Sequence, residues 1–380
     1  MKKTAVAIFS FALLLSAVGV MAKEKSENKS DKPSKAKNVE ISKKKVLSES
    51  ERKSFDENEG IAKGKPAKPS PTDPTAGGAT GALGEPLPFG GQRYAILVGL
   101  ANYPGKINDL CVTDAKTGKD FPTAIDGLAQ YCKDEDALNM KKALIEKYGY
   151  SEENIFLFSD ADAKFDAIKE RVDYLVGTEA FPAKLTADDE LVFFFSGHSS
   201  TGNVFDESGA NDESLDEAMF IYDQNYTEAD FLSGAYAPGD SSYVWDDQLK
   251  AWFANAPTKR ILFAFDTCNA GGMNDLEADG RVLALSSTEF QSSYTYYLGG
   301  QQTDVNIFQE SEGLFAHYFV KRAMIDELGD GSNPLNKRNV LKYDGKVAVE
   351  EAFGYAKPII AVKQSSILND KFYNDLLLGY

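Results

Sequence analysis

The chain has 380 residues, with 58 Asp+Glu against 41 Lys+Arg and a formal net charge of −17. An excess of acid this large excludes the phosphate-neutralising chemistry of a nucleic-acid-binding protein and favours cationic partners, either metal ions or basic peptides. Neither an EF-hand spacing nor a zinc-ligand spacing is present.

Lys2 and Lys3 precede an apolar run over 5–20, and Val20-Met21-Ala22 offers small residues for cleavage. Residues 1–22 are therefore expected to be a secretory signal, with a retained anchor as the alternative. Export would end in the periplasm or outside the cell. No later apolar run is long enough to span a membrane, so the mature protein is expected to have no membrane span. Residues 23–92 are a different polymer, rich in Lys, Glu, Ser, Pro and Gly, with 14 Lys+Arg against 9 Asp+Glu over 23–68. This composition buries too little apolar surface to offset its ordering entropy, which predicts a disordered linker or pro-region.

Residues 93–380 are long enough for one sizeable, strongly acidic domain. Runs of β-branched and aromatic residues predict strands over 94–99, 154–159, 191–196, 261–266 and 282–286. Apolar residues at helical spacing predict helices over 137–148, 165–176, 246–254, 314–328 and 347–356. Strands alternating with helices imply an α/β fold with a mostly parallel central sheet and helices on both faces. The stretch 199–243 breaks the alternation and reads as a long functional loop around one apolar piece, 218–222. Three cysteines in an exported chain suggest one pair plus one free thiol. The arithmetic fits Cys111 with Cys132 and leaves Cys268 free, although three unpaired thiols satisfy the sequence equally.

Two of the strands end on chemistry. Leu191-Val192-Phe193-Phe194-Phe195-Ser196-Gly197 delivers His198, and Ile261-Leu262-Phe263-Ala264-Phe265-Asp266-Thr267 delivers Cys268. Only two histidines occur in the chain. Parallel sheets bind ligands at the carboxyl ends of their strands, and a thiol needs a neighbouring base to become a nucleophile at neutral pH. The pair suits a cysteine hydrolase.

The strings VFFFSGHSS and LFAFDTCNAGG resemble the two catalytic segments of clan CD cysteine peptidases of the caspase family, closest to metacaspases and their bacterial and archaeal relatives. YAILVGLANYPG and YCKDEDALNMKKALIEKYGYSEENIFLF resemble the first strand, helix and second strand of the same family. The resemblance runs from about Tyr94 to Met324 and implies the caspase-like fold. It also implies a peptidase with Cys268 as nucleophile, His198 as base and acid, and the amides of Ser199 and Cys268 as oxyanion donors. Self-processing belongs to the same picture. Where the family has Gly after the histidine, this chain has Ser199, a strained choice if the position requires positive φ.

An acid two residues before the nucleophile cannot favour an Asp substrate, because like charges repel in a desolvated pocket. Carried over by resemblance, the specificity pocket would use Asp266, Ser196, Cys132 and Asp136, so cleavage is expected after Arg or Lys in peptide or protein substrates. Glu135, or the Cys111/Asp114 pair, are alternatives for the helix-start position. The resemblance further implies an activating Ca2+ ion held by Asp216, Asp246, Asp247 and Asp275. Asp206, Asp212, Glu213, Glu217 and Asp223 are alternatives within the loop, and a merely solvated acidic surface is the opposing reading. The competing function is a catalytically silent caspase-fold binding or scaffold protein of the cell envelope.

Overall fold

Phe193, Phe194 and Phe195 are consecutive and all fully buried, which requires apolar cover on both faces of their strand. Successive side chains of a strand point to opposite faces. Phe193 and Phe195 join Ile168, Val172, Leu249 and Phe253 in one core. Val192 and Phe194 join Met140, Leu144, Phe319 and Phe353 in another.

The computed structural model describes residues 37–62, 79–104, 109–110, 129–202, 215–227, 229–230, 234–236, 240–302, 306–332 and 343–380. The expected signal, 1–22, lies outside these residues, as does Cys111. No helix among the described residues is long and apolar enough to cross a membrane.

The central sheet is built from β3 (Arg93–Gly99), β5 (Ile155–Ser159), β6 (Glu190–Ser196), β11 (Ile261–Asp266), β12 (Arg281–Leu285) and β15 (Ile367–Asp370). Its order is β15-β12-β11-β6-β3-β5. All pairs are parallel except β12 with the edge strand β15. Helices α2 (Asp136–Glu146), α3 (Phe165–Val176), α4 (Asp246–Phe253) and α6 (Val349–Ile360) supply the cover. The α/β caspase-like architecture is as expected. Helix α5 starts as a single α turn (Leu314–Ala316) and widens into a π-helix over His317–Ile325, where the apolar spacing alone suggests a uniform helix.

Two smaller sheets were not legible in the sequence. β1 (Lys37–Ser42), β7 (Ser199–Gly202), β8 (Asp216–Phe220), β9 (Ala235–Tyr236) and β10 (Tyr243–Trp245) form one, in the order β10-β8-β7-β1-β9. β2 (Lys45–Val46), β4 (Ala129–Asp134), β13 (Tyr294–Gln302) and β14 (Asn306–Gly313) form the other. Where it is described, the stretch after His198 thus contributes β7, β8, β9 and the start of β10.

The expectation of a disordered 23–92 is corrected in part. Residues 37–62 are β1, β2 and a helix, α1 (Glu49–Ala62). Phe55 on α1 is 1% exposed, and Glu59 of α1 pairs with Arg322 and accepts from the Tyr355 hydroxyl. A few apolar anchors and buried ion pairs order a segment whose average composition argues for disorder.

Candidate active site

Parallel register brings the two chemical residues together. Asp266 of β11 lies opposite Ser196 of β6, and Cys268 and His198 each come two residues later. Both therefore leave the same edge of the sheet at its carboxyl end.

His198 is held through Tyr103. The His198 amide donates to the Tyr103 hydroxyl at 2.8 Å, that hydroxyl donates to the Phe220 carbonyl at 3.3 Å, and the two rings stack with centroids 5.0 Å apart. Gly197 is required by this close approach, because a Cβ there would fall 2.6 Å from the Tyr103 oxygen.

The turn carrying Cys268 is pinned to the end of β12. Ser286 Oγ accepts from the Thr267 amide, Ser286 Oγ and Ser287 Oγ both donate to the Thr267 carbonyl, and Ser287 Oγ accepts from the Ala270 amide. Asn269 takes the left-handed conformation, φ 56°, which Asn tolerates better than most residues. Ser199 is not among the residues of positive φ, so serine in place of glycine carries no backbone strain there.

Cys268 and His198 are buried, at 0% and 2% exposure. The Cys268 sulfur accepts from the Ser293 amide at 3.2 Å, and burial pushes its thiol up to about 11. The nitrogen Nδ1 of His198 accepts from the backbone amide of Lys44 at 3.1 Å.

Lys44 fills the pocket beside them. Its ammonium donates to Ser196 Oγ at 2.9 Å and lies 3.0 Å from Asp266 and 3.8 Å from Asp136. Ser196 Oγ donates to Asp136 at 2.5 Å. The Gly313 amide donates to Asp136, at 2.9 and 3.0 Å to its two oxygens. Asp266 accepts from Ser293 Oγ and from the Ala316 amide. Burial pushes the Asp136 carboxyl up to about 7, opposed by the Lys44 cation and reinforced by Asp266 and Glu312. A Cβ on Gly313 would fall 2.0 Å from an Asp266 oxygen and 2.8 Å from the Lys44 nitrogen, so only glycine leaves room for the cation.

Three of the four expected pocket residues thus converge: Asp266, Asp136 and Ser196. Cys132 does not serve as expected. It is disulfide-bonded, so it has no thiol to offer a substrate, while Cys268 is free. Glu135 points its carboxylate to Lys133 instead. A surface cavity of about 390 Å³ lined by Arg93, Tyr148, Glu327 and Lys346 touches neither His198 nor Cys268.

The four aspartates assigned to calcium come from β8 (Asp216), the start of α4 (Asp246, Asp247) and the turn after Cys268 (Asp275), three elements that pack on one another. The Lys250 ammonium lies 2.6 Å from Asp275 and 3.7 Å from Asp247. Among the described residues no group of three or more His, Cys, Asp or Glu is placed to hold a metal. In this conformation a lysine cation offsets two of the four carboxylates, a charge that a calcium ion would have to displace.

Sequence reading missed Lys44, Tyr103, Ser293 and Gly313. Lys44 lies in a run of three lysines that reads as solvated, and the others are unremarkable in their own segments.

The profile for the metacaspase peptidase C14 domain matches residues 129–277, a span that contains both catalytic candidates and the three pocket residues. Metacaspase-1 of Schizosaccharomyces pombe is 23% identical over 275 residues, covering 69% of this chain and 52% of that protein. Metacaspase-1A of Aspergillus terreus is 26% identical over 220 residues, covering 56% of this chain and 45% of that protein. Metacaspase-1 of Cryptococcus neoformans is 28% identical over 142 residues, 37% and 28% of the two chains. The chain spans about half the length of the first two of these curated relatives. With the strand-end histidine and cysteine in register and the matching profile laid over both, residues 129–277 match the metacaspase peptidase C14 domain, and the chain is similar to the metacaspases of the caspase family.

Proposed function

We propose that the protein is a cysteine endopeptidase that cleaves peptide bonds after Lys or Arg, with Cys268 as nucleophile and His198 as general base and acid. The observation that carries this reading is Lys44: a basic side chain sits fully buried against Asp266, Ser196 and, through Ser196, Asp136, immediately beside both catalytic residues. Leaving a cation in such a pocket is costly unless the carboxylates meet it, and the same pocket repels an Asp side chain.

His198 takes the thiol proton, the Cys268 sulfur attacks the substrate carbonyl carbon, and the imidazolium returns the proton to the departing amine. Water then hydrolyses the thioester. The amides of Ser199 and Cys268 are the oxyanion donors in this scheme, each worth about 2.7–4 kcal/mol in comparable sites. A peptide-library assay on the purified chain tests it. Cleavage should occur after Lys and Arg and vanish in Cys268→Ala and His198→Ala, both with intact circular dichroism. Preferred cleavage after Asp, or wild-type turnover by Cys268→Ala, would overturn the scheme.

The buried, high-pKa thiol favours the competing reading of a catalytically silent scaffold. Labelling by an arginyl chloromethyl ketone separates the two: adduct on Cys268 supports the enzyme, and none at any ketone concentration supports the scaffold. Export through the 1–22 segment is part of the proposal, supported by the disulfide at Cys132, a bond that persists in oxidising compartments. Calcium activation is proposed on the footing that the ion displaces Lys250 from Asp247 and Asp275.

A further inference from the structure

We propose that the Lys44–Lys45 peptide bond is the chain's own first cleavage site, and that β1 closes the substrate cleft until that bond is cut; this rests on the peptidase reading above.

The segment lies as an extended substrate lies along a strand, here β7, with its first two residues also paired to β9. β1 runs antiparallel to β7, the strand that begins directly after His198, with Ser42 opposite Ser199, Ile41 opposite Ser200 and Val39 opposite Gly202. Val39 is buried and Ile41 packs against the same core. Lys44 then places its ammonium in the acidic pocket and its amide on His198 Nδ1. On the other side of the peptide bond, the Lys45 amide donates to the Ser293 carbonyl at 2.9 Å, and Ser293 in turn donates to the Cys268 sulfur. The Lys44–Lys45 bond therefore lies between the base and the residue that touches the nucleophile.

The segment from Lys45 to the end of α1 belongs to the body of the domain. Lys45 and Val46 pair with Tyr294 and Thr295, the Leu47 amide donates to Thr295, and Phe55 is buried in a core shared with Tyr318 and Phe353. Glu51 meets Lys363, and Glu59 meets Arg322. On the amino-terminal side of the bond, β1 and Lys44 are held on the described body by four residue pairs with β7, two with β9, the Val39 amide on the Gly234 carbonyl and the Lys44 ion pairs, with no helix to anchor them. A cut between the two parts leaves 45–62 in place and frees β1 to depart.

In the uncut state the Lys44 amide occupies the imidazole nitrogen, so that nitrogen cannot accept the thiol proton. When the amide shifts away, His198 takes the Cys268 proton and the sulfur bonds to the Lys44 carbonyl carbon. The bond from that carbon to the Lys45 nitrogen breaks, and the nitrogen receives the proton. Water adds to the thioester, which restores the thiol and leaves a carboxylate on Lys44. A tethered occupant acts at an effective concentration of about millimolar, so an intrinsic affinity of about 0.1 mM would suppress turnover of an added peptide about tenfold.

The test uses the full chain, monitored by mass spectrometry and by hydrolysis of a fluorogenic lysyl peptide. Wild type should break between Lys44 and Lys45, as purified or on incubation, with peptide turnover rising in step with the break. Lys44→Gln should show no break there and should hydrolyse the peptide at once, about tenfold faster than uncut wild type. Lys44→Arg should restore both the break and the lag, and it carries the test if Lys44→Gln does not fold. Immediate turnover by wild type with no break after Lys44 would overturn this inference and leave the peptidase reading standing. No turnover of any basic peptide by any of the three proteins would overturn both.

Discussion

Replacing Asp266 by Asn removes one negative charge 3.0 Å from the Lys44 ammonium while keeping the side chain's size. At an effective dielectric of about 20, unit charges at that distance attract by about 5.5 kcal/mol, and at the 3.8 Å of Asp136 by about 4.4 kcal/mol. Desolvation returns part of each, and truncating one partner of a buried, hydrogen-bonded charge pair costs about 2–5 kcal/mol in practice. That predicts a loss in kcat/KM of about 30-fold to a few thousandfold for a substrate with Lys at the cleavage position. Asp136→Asn should lose less, because Asp136 is farther from the cation and reaches it through Ser196. The assay compares matched peptides with Lys or norleucine at that position, in wild type and both variants. The ratio is the readout, so any slower departure of Lys44 cancels. Asp266 also accepts from Ser293 and the Ala316 amide, and thermal unfolding of each variant separates a pocket effect from a folding effect. An equal loss on both peptides, or a larger selective loss in Asp136→Asn than in Asp266→Asn, would refute the reasoning.

Gly313→Ala should cut activity on basic substrates about tenfold or more while sparing reaction of Cys268 with a small alkylating reagent. Its φ of −68° suits any residue, so the effect comes from a Cβ placed against Asp266, and overpacking of this kind costs about 1–3 kcal/mol. The pH profile is set by Asp136. With its carboxyl raised to about 7, the proton is bound below that pH in the folded protein, so the ion pair with a basic substrate forms as pH rises and is lost as pH falls through about 7. Stability moves the other way: the part owed to the protonated carboxyl is fully present below the unfolded carboxylate pKa and is lost as pH rises through about 7. KM for a lysyl peptide should therefore climb on acidification while KM for the norleucine peptide does not, and parallel profiles would count against the assignment. Calcium at micromolar to millimolar levels should raise turnover, and the Asp246→Ala/Asp247→Ala double variant should lose that response while its Cys268 still reacts. No heat of calcium binding to wild type or to Lys250→Ala, with equal rates in chelator, would remove calcium from the proposal.

The amino-acid sequence determines the central sheet and the identity of its chemical residues. Continuous apolar runs such as Leu191–Phe195 can be stable only between two helical layers, and strands of that kind in an alternating chain pair in parallel. A histidine and a cysteine each two residues past such a strand then leave the sheet at the same edge, and the pairing of β6 with β11 makes them neighbours there. Tertiary structure alone decided what lies in the pocket. Nothing local distinguishes Lys44 from Lys43 or Lys45; it is the pairing of β1 with β7 and of β2 with β13 that aims it at Asp266. Gly313 is likewise an ordinary glycine until the fold brings it so near a carboxylate of another strand that an added Cβ would fall 2.0 Å from the Asp266 oxygen. The same holds for Lys250, whose charge offsets Asp247 and Asp275 only because α4 packs beside the nucleophile turn. Periodicity records which face of an element is buried, and not which distant element buries it, so contacts between segments far apart in the chain had to be read from the folded molecule.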